Sequence, residues 1–167
     1  MANKKYSKRP PLTLVQQKIR IRQLYSELVD ELIIEKSELI CKIKLQPSVH
    51  SEIYEIKIKY KISDGSPKAW LINPEMRAFE GKYPHHVYGT DRQGHYRLCV
   101  YSPMDKNWNQ DMLIAESFIP WVCTWLNSYE YWLITGKWHY DEAFSDGNKR
   151  KRRQFRRRKR LKRHISR

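Results

Sequence analysis

The chain has 167 residues, 40% apolar and 31% charged, with a formal net charge of +15. That length suits one domain with a proper core rather than two, and 6 Trp, 11 Tyr and 4 Phe speak for a folded chain and against a disordered one. The charge is unevenly spread: residues 149–167 hold 13 Lys or Arg and no acid, leaving 20 basic against 18 acidic residues in 1–148, a net of only +2.

Three cysteines, Cys41, Cys99 and Cys123, cannot all pair and form no CxxC signature. The basic stretch Met1–Pro11 leads into no apolar run of a signal peptide. Both features predict a reducing, cytoplasmic setting. The one candidate for a membrane span, Leu113–Thr135, contains Glu116, Pro120, Asn127 and Glu130, which argues against a lipid-exposed helix.

In chain order, residues 1–11 read as a disordered arm ending in Pro10-Pro11. Thr13 is placed to cap a helix in which Leu14, Ile21, Leu24, Tyr25, Leu28 and Leu32 recur at helical spacing. That helix should expose Lys18, Arg20, Arg22 and Glu27. Period-two patterns follow. Cys41, Ile43 and Leu45 alternate with lysines, and so do Ile56, Ile58, Tyr60 and Ile62, as expected of half-buried strands. Asp64-Gly65-Ser66-Pro67 breaks the pattern, and Ala69–Ile72 predicts a third strand before Asn73-Pro74. Residues 80–94 are rich in Gly, Pro and His and read as loop. Leu98–Tyr101 is a short extended segment carrying Cys99. Trp121, Trp125, Tyr129 and Trp132 then form a helical stripe, with Pro120 in its first turn or at a kink and Gly136 at its end. Ser145-Asp146-Gly147 reads as a linker and the basic run after it as disordered in isolation. The expected organisation is an arm over 1–11, an α+β domain over 12–144 and a basic tail over 145–167.

Cys99 is the leading chemical candidate. A thiolate nucleophile needs exposure and a nearby donor or cation; His85, His86, His95 and Arg97 precede it, and Ser102-Pro103 should end the strand and leave the thiol near the surface. The bland alternative is a small hydrophobe packed beside Leu98 and Val100. Cys41, on an apolar strand face, and Cys123, within the aromatic helix, read as core. His85, His86, His95 and Cys99 hold potential metal donors, but their spacing matches no zinc pattern, so neither a metal nor a cofactor is expected. His85 and His95 read as loop histidines bonded to backbone. The tryptophan stripe reads as core, with part of its face left for a protein partner, rather than as a nucleic-acid stacking platform. The tail should bind polyanions such as nucleic acid by counterion release, and its sparse Phe155 and Leu161 do not make a membrane-binding helix.

The order helix, strands, His-containing loop, Cys, Trp and helix over roughly residues 12–140 resembles the ubiquitin-conjugating enzymes. Within them the chain is most similar to the bacterial conjugating-enzyme-like proteins of antiphage cyclic-oligonucleotide signalling (CBASS) operons. The residues carrying this resemblance are Pro84, His86, Val87 and Tyr88, then Leu98-Cys99-Val100-Tyr101, Trp108, Ile119-Pro120-Trp121, Trp125-Leu126, Tyr129-Glu130, Trp132-Leu133, Thr135-Gly136 and Trp138. The resemblance implies an N-terminal helix, an antiparallel meander sheet, an active-site Cys loop and a C-terminal aromatic-rich helix. It also implies a transferase whose Cys99 accepts a C-terminal acyl group from a CD-NTase-like (cGAS-like) nucleotidyltransferase and passes it to an amine of a target protein. Where conjugating enzymes carry His-Pro-Asn, this chain has His86-Val87-Tyr88, and the interval to the cysteine is longer. The oxyanion-stabilising Asn is missing, so the Tyr88 hydroxyl or a backbone N–H would have to replace it, with His86 shaping the site or assisting proton transfer. The rival expectation is a non-enzymatic binding module of the same fold with an idle cysteine, tied by its tail to nucleic acid or another polyanion.

Overall fold

A computed structural model describes residues 10–101 and 108–139. The linker, the basic tail and residues 1–9 of the arm lie outside the described residues. The first helix, α1, spans Leu14–Tyr25 and opens on a capping box: the Thr13 side chain accepts from the Gln16 backbone N–H, and the Thr13 N–H donates to Gln16 Oε1. The helix is shorter than its apolar spacing predicts. Its last turn passes through a short 3₁₀ segment, Ser26–Leu28, and Val29–Glu35 is a strand, β1, not helix. The β-branched Val29, Ile33 and Ile34 favour the extended chain, and a two-residue turn at Lys36 and Ser37, both at positive φ (48° and 59°), folds β1 back onto β2.

The consequence for α1 is a different buried face. Ile21 is fully buried and Leu14 and Tyr25 partly so, but Leu24 and Leu28 are exposed, while Lys18 and Arg20 are half-buried. The helix is instead fastened by polar side chains. Gln17 is completely buried; its Nε2 donates to the Met112 carbonyl (2.8 Å) and its Oε1 accepts from the Ile114 N–H (2.8 Å). Both of its polar atoms are thereby satisfied, as burial requires.

β2 (Glu38–Leu45), β3 (Tyr54–Tyr60) and β4 (Lys68–Asn73) follow, and the whole sheet is antiparallel. The predicted alternation holds: Leu39, Cys41, Ile43, Leu45, Ile56, Ile58 and Leu71 are buried, with lysines on the opposite face. Ile62, read with β3, opens a short 3₁₀ turn that ends at Gly65. The stretch 80–94, read wholly as loop, contains strand β5 (Val87–Thr90), which pairs with β6 (Tyr96–Leu98). Short exposed strands of three or four residues carry too little alternation to be seen in the sequence. The strand order is β1-β2-β3-β4-β6-β5, so the meander is regular through β4 and then skips one place.

Helix α2 (Phe118–Thr135) lays Ile119, Val122, Trp125, Leu126, Tyr129 and Trp132 into the same buried cluster as the sheet's inner face. Pro120 lies in its first turn, where a missing N–H costs nothing. Gly136 closes the helix at φ 68°, its N–H donating to the Trp132 carbonyl at 2.8 Å. A Cβ there would lie 2.6 Å from Phe79 Cε1, so close approach as well as conformation requires glycine. No helix among the described residues is long and apolar enough to cross a membrane.

Candidate active site

β6 ends at Leu98, whose side chain is buried, so Arg97 and Cys99 project from the other face of the strand. Across the hairpin Val87 pairs with Leu98 and Thr90 with Tyr96, with a bulge between them. Gly89, at φ 99°, lies within that bulge. The register puts Tyr88 on the face of Arg97 and Cys99. The Arg97 guanidinium lies 4.7 Å from the centre of the Tyr88 ring. The Cys99 thiol donates to the Tyr88 hydroxyl at 3.1 Å. The next acceptor, the Tyr101 carbonyl, is at 4.0 Å from Cys99 Sγ.

Burial, together with the hydrogen bond and charge of Cys99, pushes the Tyr88 hydroxyl up to about 12, with Arg97 acting in the opposite direction and Tyr101 adding to the rise. Tyr88 is therefore a protonated phenol over the physiological range, able to donate to an anionic sulfur or oxygen beside it.

His86 reaches this site through its backbone. Its carbonyl accepts the Cys99 N–H (3.0 Å) and also the Trp125 indole N–H (3.0 Å). One oxygen thus binds the histidine loop, the cysteine segment and α2 together. The His86 ring stacks on Trp138 (4.6 Å, 27°) and lies 4.3 Å from the His85 ring, and Trp138 in turn packs 5.3 Å from Trp125. The aromatic stack continues along α2 from Trp125 to Tyr129 to Trp132.

The other cysteines differ from Cys99. Cys41 is completely buried and its thiol is pushed up to about 12, chiefly by that burial and further by Glu31. Cys123 is half-buried, and burial raises its thiol too. Trp108, nine residues past Cys99, is buried; its indole N–H donates to the Gly65 carbonyl at 3.0 Å and its ring packs edge-on against Tyr60 and Phe118. Ser102-Pro103 lies outside the described residues.

His95 belongs to the hairpin turn. Asp91 Oδ1 accepts from the Gln93 and His95 backbone N–H groups (2.9 and 3.0 Å), and Oδ2 lies 3.1 Å from Lys57 Nζ and 3.2 Å from His95 Nδ1. Burial works against the carboxylate, but these hydrogen bonds from His95, Lys57 and Gln93 override it and hold Asp91 well below the usual range. Among the described residues no three His, Cys, Asp or Glu side chains gather into a metal site.

The structure therefore brings Cys99 and Tyr88 into contact and joins His86 to them by its main chain. Sequence reasoning missed how Arg97 and Trp125 serve this arrangement, because Arg97 acts across a strand pair and Trp125 across 39 residues. A small cleft of about 70 Å³ is lined by Ser66, Lys68, Tyr88, Arg97, Val100 and Tyr101 among others.

No curated protein matches this sequence. A family model described as the type II CBASS E2 protein matches residues 17–145, which takes in most of α1, strands β1 to β6, Cys99 and α2. The chain belongs to the family of type II CBASS E2 proteins.

Proposed function

We propose that Cys99 carries an acyl group as a thioester, drawn from the C-terminus of a nucleotidyltransferase of the same defence system, and hands it to an amine. The single observation that carries this reading is the half-buried Cys99 at the end of β6 with its sulfur 3.1 Å from the Tyr88 hydroxyl, in a family named for its conjugating-enzyme role. Once the thiol has lost its proton, the sulfur attacks the activated acyl carbonyl, a C–S bond forms, and the leaving group departs with its electron pair. The incoming amine then attacks the thioester carbonyl; the C–N bond forms, the C–S bond breaks, the thiolate returns, and the amine proton passes to solvent or a base. Tyr88, protonated and beside the sulfur, is suited to donate to the thiolate and to the developing oxyanion, the task of the missing Asn. His86 shapes the site through its carbonyl, and its ring is the candidate for proton transfer.

Intact mass measurement after co-expression with the partner nucleotidyltransferase tests the reading. Wild type should gain an adduct removed by thiols, and Cys99→Ser should lose it or hold it as a thiol-stable ester. With the partner present and intact, an unmodified wild type would refute the carrier role.

One sequence feature favours a second, compatible activity. Residues 149–167 carry 9 Arg and 4 Lys without an acid, and the Arg fork suits phosphate. Nucleic-acid binding that weakens steeply with salt and is lost on deleting 149–167 is the expected result; unchanged binding after the deletion would remove the tail from the account.

A further inference from the structure

The Tyr88 ring stands where the sheet constrains it little. β5 is an edge strand of four residues, and the register shifts between Val87 and Thr90, so Tyr88 and Gly89 fall in the interval that strand pairing does not fix. Gly89 adds its own freedom at φ 99°. Tyr88 is 49% exposed, and a half-exposed aromatic side chain beside a bulge has other rotamers open to it. Its hydroxyl nevertheless lies 3.1 Å from Cys99 Sγ.

Arg97 is placed quite differently. β6 lies between β4 and β5, Arg97 pairs with Trp70 of β4, and its Nε is buried. The guanidinium carbon is 4.7 Å from the centre of the Tyr88 ring, closer than Lys57 Nζ over Trp70, at 5.9 Å. A cation over a ring face is attracted by the ring's negative quadrupole, more strongly where water is excluded. A flat guanidinium also restrains the tilt of the ring, as a compact ammonium does not. The charge acts on the phenol as well: burial and Cys99 push Tyr88 up to about 12 while Arg97 pulls it the other way, which favours the hydroxyl as a donor.

We infer that Arg97 is a positioning residue: it holds the Tyr88 ring by its face so that the hydroxyl stays on the Cys99 sulfur. The inference rests on the acyl-carrier reading and assigns, within it, what keeps the donor that replaces the missing Asn in place. Arg97 acts through Tyr88 and not on the acyl group.

The test is a double-mutant cycle in the full-length protein, read by acylation of Cys99 from a short peptide N-acetylcysteamine thioester. The Cys99 sulfur forms the new C–S bond, the cysteamine C–S bond breaks, and the leaving thiolate takes up the proton that Cys99 released. With Tyr88 present, Arg97→Gln should slow acylation about threefold to thirtyfold, the range of a cation–π contact. Arg97→Lys, which keeps a cation, should fall between Arg97→Gln and wild type, and it carries the cycle if Arg97→Gln folds poorly. In the Tyr88→Phe background the hydroxyl is gone, and the same substitutions should change the rate less than about twofold. A role confined to stability, or a direct action of the charge on the sulfur, would slow both backgrounds alike. Equal slowing in both, or slowing in neither, overturns the inference. Failure of the thioester to acylate wild-type Cys99 counts against the carrier reading instead. The positioning is then decided by NMR, where a cross-peak between the Tyr88 ring protons and the Cys99 β protons should be present in wild type and lost in Arg97→Gln. A cross-peak absent from wild type, or unchanged by the substitution, overturns it.

Discussion

The two halves of the sheet are held together by different means. From β1 to β4 the strands run for six to eight residues; β2 and β3 bury every second side chain, β4 buries Ala69 and Leu71, and β1 buries Leu32. β5 and β6 have four and three residues and bury only Leu98 fully. That hairpin pairs with β4 where Arg97 meets Trp70 and is kept in place by a few directed contacts, Asp91 to Lys57 and His86 to Trp125, with Arg97 against Tyr88 within it. The meander is stabilised by area and is indifferent to any one polar atom; the hairpin is the reverse. The proposed chemistry belongs to the half whose geometry is set by individual side chains, where a change of a few atoms alters the site without unfolding the domain.

This contrast is open to direct attack. Ile58→Ala, in the middle of β3, should cost about 2–5 kcal/mol in denaturant unfolding, since Ile58 is completely buried between Cys41 and Ala69 on the neighbouring strands. A loss below about 1 kcal/mol would mean the meander does not depend on burial as described. Tyr88→Phe should leave the unfolding midpoint nearly unchanged while slowing Cys99 acylation about a hundredfold, the effect of removing one oxyanion donor. Equal acylation rates would take Tyr88 out of the chemistry.

Asp91 offers a pH-dependent version of the same test. Its carboxylate is held below its unfolded value, so the stability it supplies is complete above about pH 4 and fades as pH falls towards the folded value. The gap in melting temperature between wild type and Asp91→Asn should therefore narrow as the pH is lowered from about 5 to 2. A gap constant over that range would show that the ion is not what fastens the turn. The smallest effect is expected on the outer face of the meander, where Lys42→Ala breaks an exposed pair with Glu31; less than about 0.5 kcal/mol should be lost.

The same division decides what could be read without coordinates. Alternation in β2 and β3, the Thr13 cap, the tryptophan stripe and the Gly136 stop are local patterns with a fixed period or a fixed chemistry, and all four appear in the structure. The end of α1 was misplaced because Leu28 and Leu32 continue a helical spacing by coincidence, while the turn that ends the matter, Lys36-Ser37, lacks the Gly or Asn that marks such turns. β5 was hidden because four residues cannot display a period. Cys99 was visible as a residue and as part of a family pattern. Its contact with Tyr88, 11 positions away, depends on a bulge and a register that no local rule supplies.

The His86 carbonyl has a consequence for how this chain tolerates change. Its joint between three segments is made by a main-chain atom, and every amino acid supplies that atom. Replacing the histidine alters the ring that lies on Trp138 but leaves the oxygen that meets Cys99 and Trp125. The joint itself makes no demand on the side chain at position 86, whereas Trp125 contributes to it through an indole that few residues can imitate. The joint should therefore survive a change of side chain at position 86 and fail with most changes at Trp125.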